Sequence, residues 1–248
     1  MTILSDTGNN DPDVQALSEA QRRLVAISWT MRSQAEGRAA AAMQIVAGDL
    51  RALNAPAELV VTAERSVVEE RGHAQLCSDV ALAYDANVTL VDDAALAGVD
   101  EHEETGESWH ARHVIGFCCI SETFASAHLN ACRARATTGI VRAALQRLLS
   151  DEVHHAQLGW AFLASSAAPA RTLTTGWLVP LLEGYREYVV RRTTAHPAID
   201  LPAHGCASPA EWLSQYLDVV EQLILPGFEH VGVSTDRARD WLTGAKML

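Results

Sequence analysis

Two copies of a Glu-x-x-His motif constrain the fold of this chain more than any other feature. One copy joins Glu70 to His73, and the other joins Glu152 to His155. A spacing of three residues places both side chains on one face of an α-helix, one turn apart. A single copy would say little, because such pairs occur by chance in many helices. Two copies, each midway along an amphipathic segment, indicate two helices that turn carboxylates and imidazoles toward the same interior.

The composition favours helices over strands. Hydrophobic residues make up 48% of the 248 residues, whereas aromatic residues make up only 6%. Alanine is frequent; it has the highest helix propensity and lets neighbouring helices approach closely. The sequence has no run of alternating β-branched residues bounded by turn signals. We therefore expect an all-α protein.

Four long helices are predicted in the first two thirds of the chain. They run from Ser18 to Leu53, from Pro56 to Tyr84, from Trp109 to Arg135 and from Thr138 to Ser166. The first and last connections are short, which makes each joined pair antiparallel. The segment 85–108 between helices two and three is long enough to cross the length of a bundle. The pattern predicts a four-helix bundle with one long crossover between helices two and three.

Further helices are predicted after the bundle. Trp177 to Thr194 has a helical pattern, and Ser208-Pro209-Ala210-Glu211 is a capping box that begins another helix. We expect Pro226-Gly227 to interrupt that helix and Thr235 to Leu242 to form a last one. Because no Gly/Ser-rich linker precedes this region, we expect one domain over residues 1–248, with the bundle at 18–166 and a helical appendage packed on it at 170–248.

Charge and cysteine usage exclude several classes of function. The formal net charge of −12, with no basic stripe, argues against nucleic acid or an anionic membrane as a partner. No apolar run reaches the length of about 18 residues that a membrane span needs. The acidic start lacks the features of a secretory signal, and the five cysteines form no Cys-x-x-Cys pair. These features predict a soluble, cytoplasmic protein with reduced thiols.

The other two bundle helices each carry one acidic residue in an apolar stretch. Glu36 lies in the Ala-rich middle of helix one, and Glu122 lies in the interior of helix three. Glu36 precedes Glu70 by 34 residues, and Glu122 precedes Glu152 by 30. Such an interval fits about 16 residues up one helix and as many down the next, at ~1.5 Å per residue. The four carboxylates are therefore expected at one height, together with the two histidines.

This residue set suits a pair of divalent metal ions. Four carboxylates supply four negative charges, which match two dications, and an imidazole can complete each coordination sphere. Oxygen ligands with some imidazole favour iron or manganese over copper(I) or a thiolate-rich zinc site. Without metal, buried carboxylates in an apolar bundle would repel one another, so their pKa values should rise.

The order Glu, Glu-x-x-His, Glu, Glu-x-x-His resembles the ferritin-like di-iron carboxylate superfamily, and the resemblance covers about residues 18–166. It implies a ferritin-like bundle that holds two iron ions, with manganese or a mixed pair as the alternative. It also implies two bridging glutamates (Glu70 and Glu152), one histidine for each ion (His73 and His155) and two terminal glutamates (Glu36 and Glu122).

The same resemblance suggests roles for three neighbouring residues. In the superfamily, an acid that precedes the motif glutamate can hydrogen-bond a histidine ligand on the partner helix, which makes Glu69 and Asp151 candidates. Ser126 occupies the place where related oxygenases often have a threonine near the oxygen-binding side, so it is a candidate for proton delivery. Leu148 stands where some N-oxygenases have an extra histidine, and a seventh ligand is therefore not expected.

Other polar residues near the motifs are not expected to bind metal. Glu19 and Asp49 lie near the two ends of helix one, where they are badly placed to replace Glu36. The helix-three histidines (His110, His113 and His128) are expected to be packing or surface residues, as is His154. The cysteines near the motifs are expected to be small residues of the apolar core, although one or two could line a cavity.

The predicted function is that of a dimetal, O2-activating oxidase or oxygenase. O2 would be the co-substrate of a small or medium organic molecule, bound beside the metals in a pocket between the Ala and Cys positions of helices one to three. The sequence does not specify the electron donor. The alternatives are a ferroxidase or iron-handling protein and a helical interaction protein with a vestigial metal site. An Ala-rich bundle exterior is compatible with a homodimer.

Overall fold

The computed structural model describes residues 11–89, 106–165, 170–195 and 199–247. Regular structure in these ranges is helical, apart from an isolated antiparallel bridge between Leu201 and Cys206. The prediction of an all-α protein is confirmed. None of the helices described combines the length and the apolar character needed to cross a bilayer.

The described ranges contain α-helices of very different lengths. They are α1 (Pro12–Gln15), α2 (Glu19–Ala52), α3 (Ala57–Tyr84), α4 (Glu107–Val114), α5 (Glu122–Arg135), α6 (Gly139–Ala164), α7 (Ala170–Ala195), α8 (Pro209–Val219), α9 (Leu225–His230) and α10 (Asp236–Ala245). Two π-helical segments, Ile115–Ser121 and Val220–Ile224, join α4 to α5 and α8 to α9, and a 3₁₀ turn covers Pro202–His204.

Local sequence signals determine where the helices of the first hairpin begin and end. Ser18 caps α2 in a capping box with Gln21, whose side chain accepts a hydrogen bond from the Ser18 backbone N–H at 3.0 Å. The helix ends before Asn54, which adopts the left-handed conformation at φ 51°, and Pro56 precedes α3. Helices α2 and α3 then pack against each other. The predicted first and second helices are therefore correct to within one or two residues.

The predicted third helix is continuous along the chain, but its middle part has π-helical instead of α-helical turns. The helical stretch from α4 through Ile115–Ser121 to α5 is continuous, with wide π-type turns just before Glu122. The predicted fourth helix corresponds to α6. The crossover predicted at 85–108 falls largely on residues 90–105, which lie outside the described residues.

One prediction about the C-terminal helices is wrong. Pro226-Gly227 does not interrupt the helix, because Val220–Ile224 forms wide turns and Pro226 then occupies the first turn of α9, where its missing N–H is tolerated. Gly227 is needed for close packing: a Cβ atom there would lie 2.7 Å from the Trp160 ring. Helix α8 begins at the predicted capping box of Ser208, and α7 is longer than predicted and contains Pro180.

The apolar core falls into two clusters along the bundle. One cluster includes Met43, Val67 and Phe162, together with residues of α7 to α10. The other includes Trp29, Val80 and Leu145. On α2, α3 and α6, residues of one cluster precede the predicted metal ligands and residues of the other follow them. The apolar clusters therefore enclose a polar layer at mid-height.

Candidate metal centre

The structure brings the six predicted ligands together in that polar layer. They form two overlapping groups, within each of which one potential ligand atom per residue lies within 4.8 Å of the others. All except the half-buried Glu36 are at most 3% exposed. The first group consists of Glu36, Glu70, His73 and Glu152, and the second consists of Glu70, Glu122, Glu152 and His155.

Two glutamates are common to both groups and lie between the histidines. His73 Nδ1 is 3.3 Å from Glu70 Oε2 and 3.3 Å from Glu152 Oε1. His155 Nδ1 is 2.8 Å from Glu70 Oε1 and 3.6 Å from Glu152 Oε2. Each carboxylate thus turns one oxygen toward each imidazole. This is the placement of two bridging carboxylates between two positions that each have one histidine.

Several of these close atoms do not form hydrogen bonds with one another. Glu70 Oε1, Glu152 Oε2 and His155 Nδ1 are buried and have no hydrogen-bond partner among the described residues. Buried polar atoms are rarely left in this state, because the loss of solvation destabilises the fold. Buried oxygen and nitrogen atoms that converge without forming hydrogen bonds are arranged as metal ligands are. The residues present therefore fit a pair of metal ions.

The outer nitrogen of each histidine is held by an acid on the opposite helix. His73 Nε2 is 3.1 Å from Asp151 Oδ2, and His155 Nε2 is 3.0 Å from Glu69 Oε2. Once the imidazole is neutral, donation from Nε2–H to a carboxylate leaves on Nδ1, which faces the cluster, the lone pair that a metal ion needs. Glu69 and Asp151 thus lie where the sequence predicted them, and they cross-link α3 to α6.

Burial and mutual repulsion perturb the acids in the absence of metal. Burial raises the pKa of Glu36 and of Glu122 well above the ordinary value, and repulsion from the carboxylates of Glu70 and Glu152 adds to this effect. For Glu152, burial acts in the same direction, but the two adjacent imidazoles outweigh it, and its pKa falls to about 2.

The histidines respond in the opposite sense. Burial disfavours their charged form, but the adjacent carboxylates of Glu152 and Glu70 prevail and raise the pKa of His73 to about 10 and that of His155 to about 12. In the metal-free site, protons therefore take the place of the positive charges that two dications would supply.

The π-helical segment sets the position of Glu122. A Cβ atom on Gly159 of α6 would lie 2.7 Å from both Cys118 Cβ and Cys119 Sγ, so the absence of a side chain lets the widened segment lie directly against α6. Glu122 follows at once as the first residue of α5. Glu122 was a candidate from the sequence alone. No sequence pattern predicted the π-helical turns that precede it.

The competing polar residues belong to neither ligand group of the described residues, but His113 and His128 line the cavity that adjoins the centre. Asp49 is buried and bound to two histidines of α4: its carboxylate oxygens lie 2.6 Å from His110 Nδ1 and 2.6 Å from His113 Nδ1. His128 Nδ1 is 2.8 Å from Gln215 Oε1. His154 is exposed. Ser126 Oγ is buried without a hydrogen-bond partner among the described residues, and the described cavity wall beside the centre does not include it.

A cavity of about 890 Å³ adjoins the centre, and four of the six residues, Glu36, Glu70, Glu122 and Glu152, form part of its wall. Small residues of α2 and aromatic residues of the π-helical segment, α5 and α7 line part of the remainder. The alanine wall was predicted, but the described lining contains none of the cysteines. The sequence analysis also missed the arginines of the wall, namely Arg32, Arg38, Arg112 and Arg192.

The sequence matches no family model, and no similar protein was found among curated proteins or among solved structures.

Proposed function

We propose that this protein is a non-haem dimetal enzyme, with two iron ions, that uses O2 to oxidise a small or medium organic substrate. The observation that carries the proposal is the pair of four-residue groups that share Glu70 and Glu152 beside an organic-sized cavity. A pair of iron ions bound in this way would supply the electrons that reduce and activate dioxygen. The proposal includes a ferritin-like bundle for α2, α3, α4 to α5 and α6.

The donor chemistry supports iron or manganese. Each group offers three carboxylates and one imidazole, a hard set of ligands that suits these metals. Cys118 and Cys119 are buried and near Glu122 in sequence, but no thiol belongs to either ligand group of the described residues. A thiolate site for zinc is therefore not the arrangement that this chain presents.

The cavity supports an organic substrate rather than ferrous ion alone. Ala35 and Ala39 leave space on α2 beside Glu36, while Phe124 and Tyr185 face that space from α5 and α7. Apolar walls with a few polar groups are typical of small-molecule sites, and a volume of about 890 Å³ admits a molecule of medium size. The helices after the bundle complete this wall, which gives them a part in the proposed reaction.

The proposal is tested by the reaction of ferrous protein with air. Protein loaded anaerobically with two ferrous ions per chain should consume O2, show a transient absorbance after rapid mixing and keep its iron bound. With a reductant present, O2 uptake should continue beyond a single turnover. His155→Ala is the matched control and should abolish the transient.

Two results would contradict the proposal. Continuous uptake of iron far beyond two ions per chain, with a ferric mineral as product, would identify an iron-handling protein. Absence of stoichiometric metal binding would instead support a helical interaction protein with a vestigial site.

A further inference from the structure

The wall of the cavity beside the metal centre is rich in arginine, although the chain as a whole is acidic. The net charge of the chain is −12, yet four arginines line the cavity: Arg32, Arg38, Arg112 and Arg192. The acidic residues of the described wall are four of the proposed metal ligands, Glu36, Glu70, Glu122 and Glu152. Two divalent ions would compensate those four carboxylates, and the arginine charges would then dominate the cavity.

One end of the cavity is built around Arg192. Its Nη1 donates to the Tyr188 hydroxyl at 2.9 Å and its Nη2 donates to the Met31 carbonyl at 3.0 Å, which fixes the guanidinium in place. The guanidinium also lies 5.3 Å from the centre of the Trp212 ring. Its Nε is buried and has no hydrogen-bond partner among the described residues.

A second guanidinium of the cavity wall, that of Arg32, has the same unused capacity, and Arg32 directly follows Met31, whose carbonyl accepts from Arg192. Arg32 Nη2 donates to the Gly205 carbonyl at 3.2 Å, and the group lies 4.7 Å from the centre of the Trp29 ring. Its Nη1 is buried without a partner among the described residues. Arg32 precedes Glu36 by four residues on α2, so it lies about one helical turn, or ~5.4 Å of rise, from the metal centre.

Arg38 brings a third positive charge to the same place. Burial disfavours the tyrosinate, yet Arg192 and Arg38 outweigh this effect and lower the pKa of the Tyr188 hydroxyl. The environment of that hydroxyl therefore already stabilises negative charge. Buried donors without partners and several fixed cations together form a site that a small oxyanion would complete.

We propose that the substrate is an organic anion whose carboxylate or phosphate group binds at Arg32, Arg38 and Arg192, while its apolar body extends along Ala35, Ala39 and Phe124 toward the metal centre. That the anion is a substrate rests on the proposed function. Binding of the anion requires only the cavity and its arginines. The net positive charge would also draw an anion into an otherwise acidic protein.

The test measures binding of matched probes by isothermal titration calorimetry. The probes are 4-phenylbutyrate, the uncharged 4-phenylbutanamide and 3-phenylpropylphosphonate, each titrated into the full-length protein as purified and again after metal removal by a chelator. The acid should bind and the amide should bind at least tenfold more weakly. A phosphonate that binds more tightly than the acid would assign the head group to phosphate, and the reverse order would assign it to carboxylate.

Two neighbouring arginines provide the variant and its control. Arg192→Gln should weaken binding of 4-phenylbutyrate by about 10- to 100-fold, the usual effect of losing a charge-assisted hydrogen bond. Arg191→Gln should leave binding unchanged, because Arg191 is exposed and pairs only distantly with Glu187 at 3.7 Å. Circular dichroism reports whether each variant folds, and Arg38→Gln makes the same test if Arg192→Gln does not fold.

The outcomes separate the anion site from the proposed function. Equal binding of acid and amide, or an Arg192→Gln variant that binds as the parent does, overturns the anion site even in protein that holds two metal ions. Loss of binding on metal removal, with Arg192→Gln without effect, would mean that the acid binds the metals and would also overturn it. Selective binding of the acid through Arg192 in protein that takes up no metal would support the anion site and refute the metalloenzyme.

Discussion

Metal binding to this protein should release protons, because the metal-free site holds them. The histidines of the two groups have a raised pKa, about 10 for His73 and about 12 for His155, so both are protonated at neutral pH. Each group contains one of them. Every metal ion that binds must therefore displace at least one proton from an imidazole.

Each group also contains a glutamate whose pKa lies well above its ordinary value, Glu36 in the first and Glu122 in the second. The fraction of each that is protonated adds to the release, up to one further proton per ion. Between one and two protons per ion correspond to an apparent affinity that rises about 10- to 100-fold per pH unit near neutrality. The sign is fixed: affinity rises with pH, because raised pKa values mean that protons compete with the metal.

Calorimetric titration of Mn²⁺ into chelator-treated protein measures this release directly. The apparent enthalpy should differ between PIPES and Tris buffers by the number of protons released multiplied by the difference in ionisation enthalpy of the two buffers. As a control, Glu36→Gln removes one of the acids with a raised pKa and should bind only one ion, so it should lower the total number of protons released per chain. Release of fewer than about half a proton per ion, or an affinity independent of pH between 6.5 and 8, would refute the charge assignment.

Three further predictions test the geometry. Glu70→Gln should abolish binding of both ions, whereas Glu36→Gln should leave one ion per chain, as measured by elemental analysis; equal losses would contradict the sharing of Glu70. Glu69→Gln should weaken metal affinity by about 10- to 100-fold without unfolding the protein, as measured by competition with a chelating dye. Gly159→Ala should lower the free energy of unfolding by about 1–3 kcal/mol because of its 2.7 Å contacts, whereas Gly72→Ala, which meets no atom within 4 Å, should not; urea denaturation compares the two.

The helices and the cluster of four glutamates and two histidines could be predicted from sequence because both depend on short-range patterns. The Glu-x-x-His spacing fixes two residues on one helical face, and the short connection at Asn54 to Pro56 fixes which helices are neighbours. The capping boxes at Ser18 and Ser208 marked helix starts correctly. The crossed pairing of Glu69 with His155 and of Asp151 with His73 followed from the resemblance and is present in the structure.

The features that the sequence analysis missed depend on contacts between distant segments. The π-helical turns before Glu122 depend on the absence of a side chain at Gly159, 37 residues later. Pro226 predicted a break in the helix. The π-helical turns before it place Pro226 in the first turn of α9, where its missing N–H is tolerated. The basic cavity combines Arg32 and Arg38 of α2 with Arg192 of α7. No local pattern marks these residues as neighbours, and the net charge of −12 points the other way.

The metal content of the purified protein tests the central claim most directly. Protein produced in iron-supplemented medium, purified without chelators and analysed by inductively coupled plasma mass spectrometry should contain close to two iron or manganese ions per chain. A double variant, Glu70→Gln with Glu152→Gln, should contain none when it is prepared in parallel. Less than about one ion per chain in the parent protein, or zinc alone, would contradict the account.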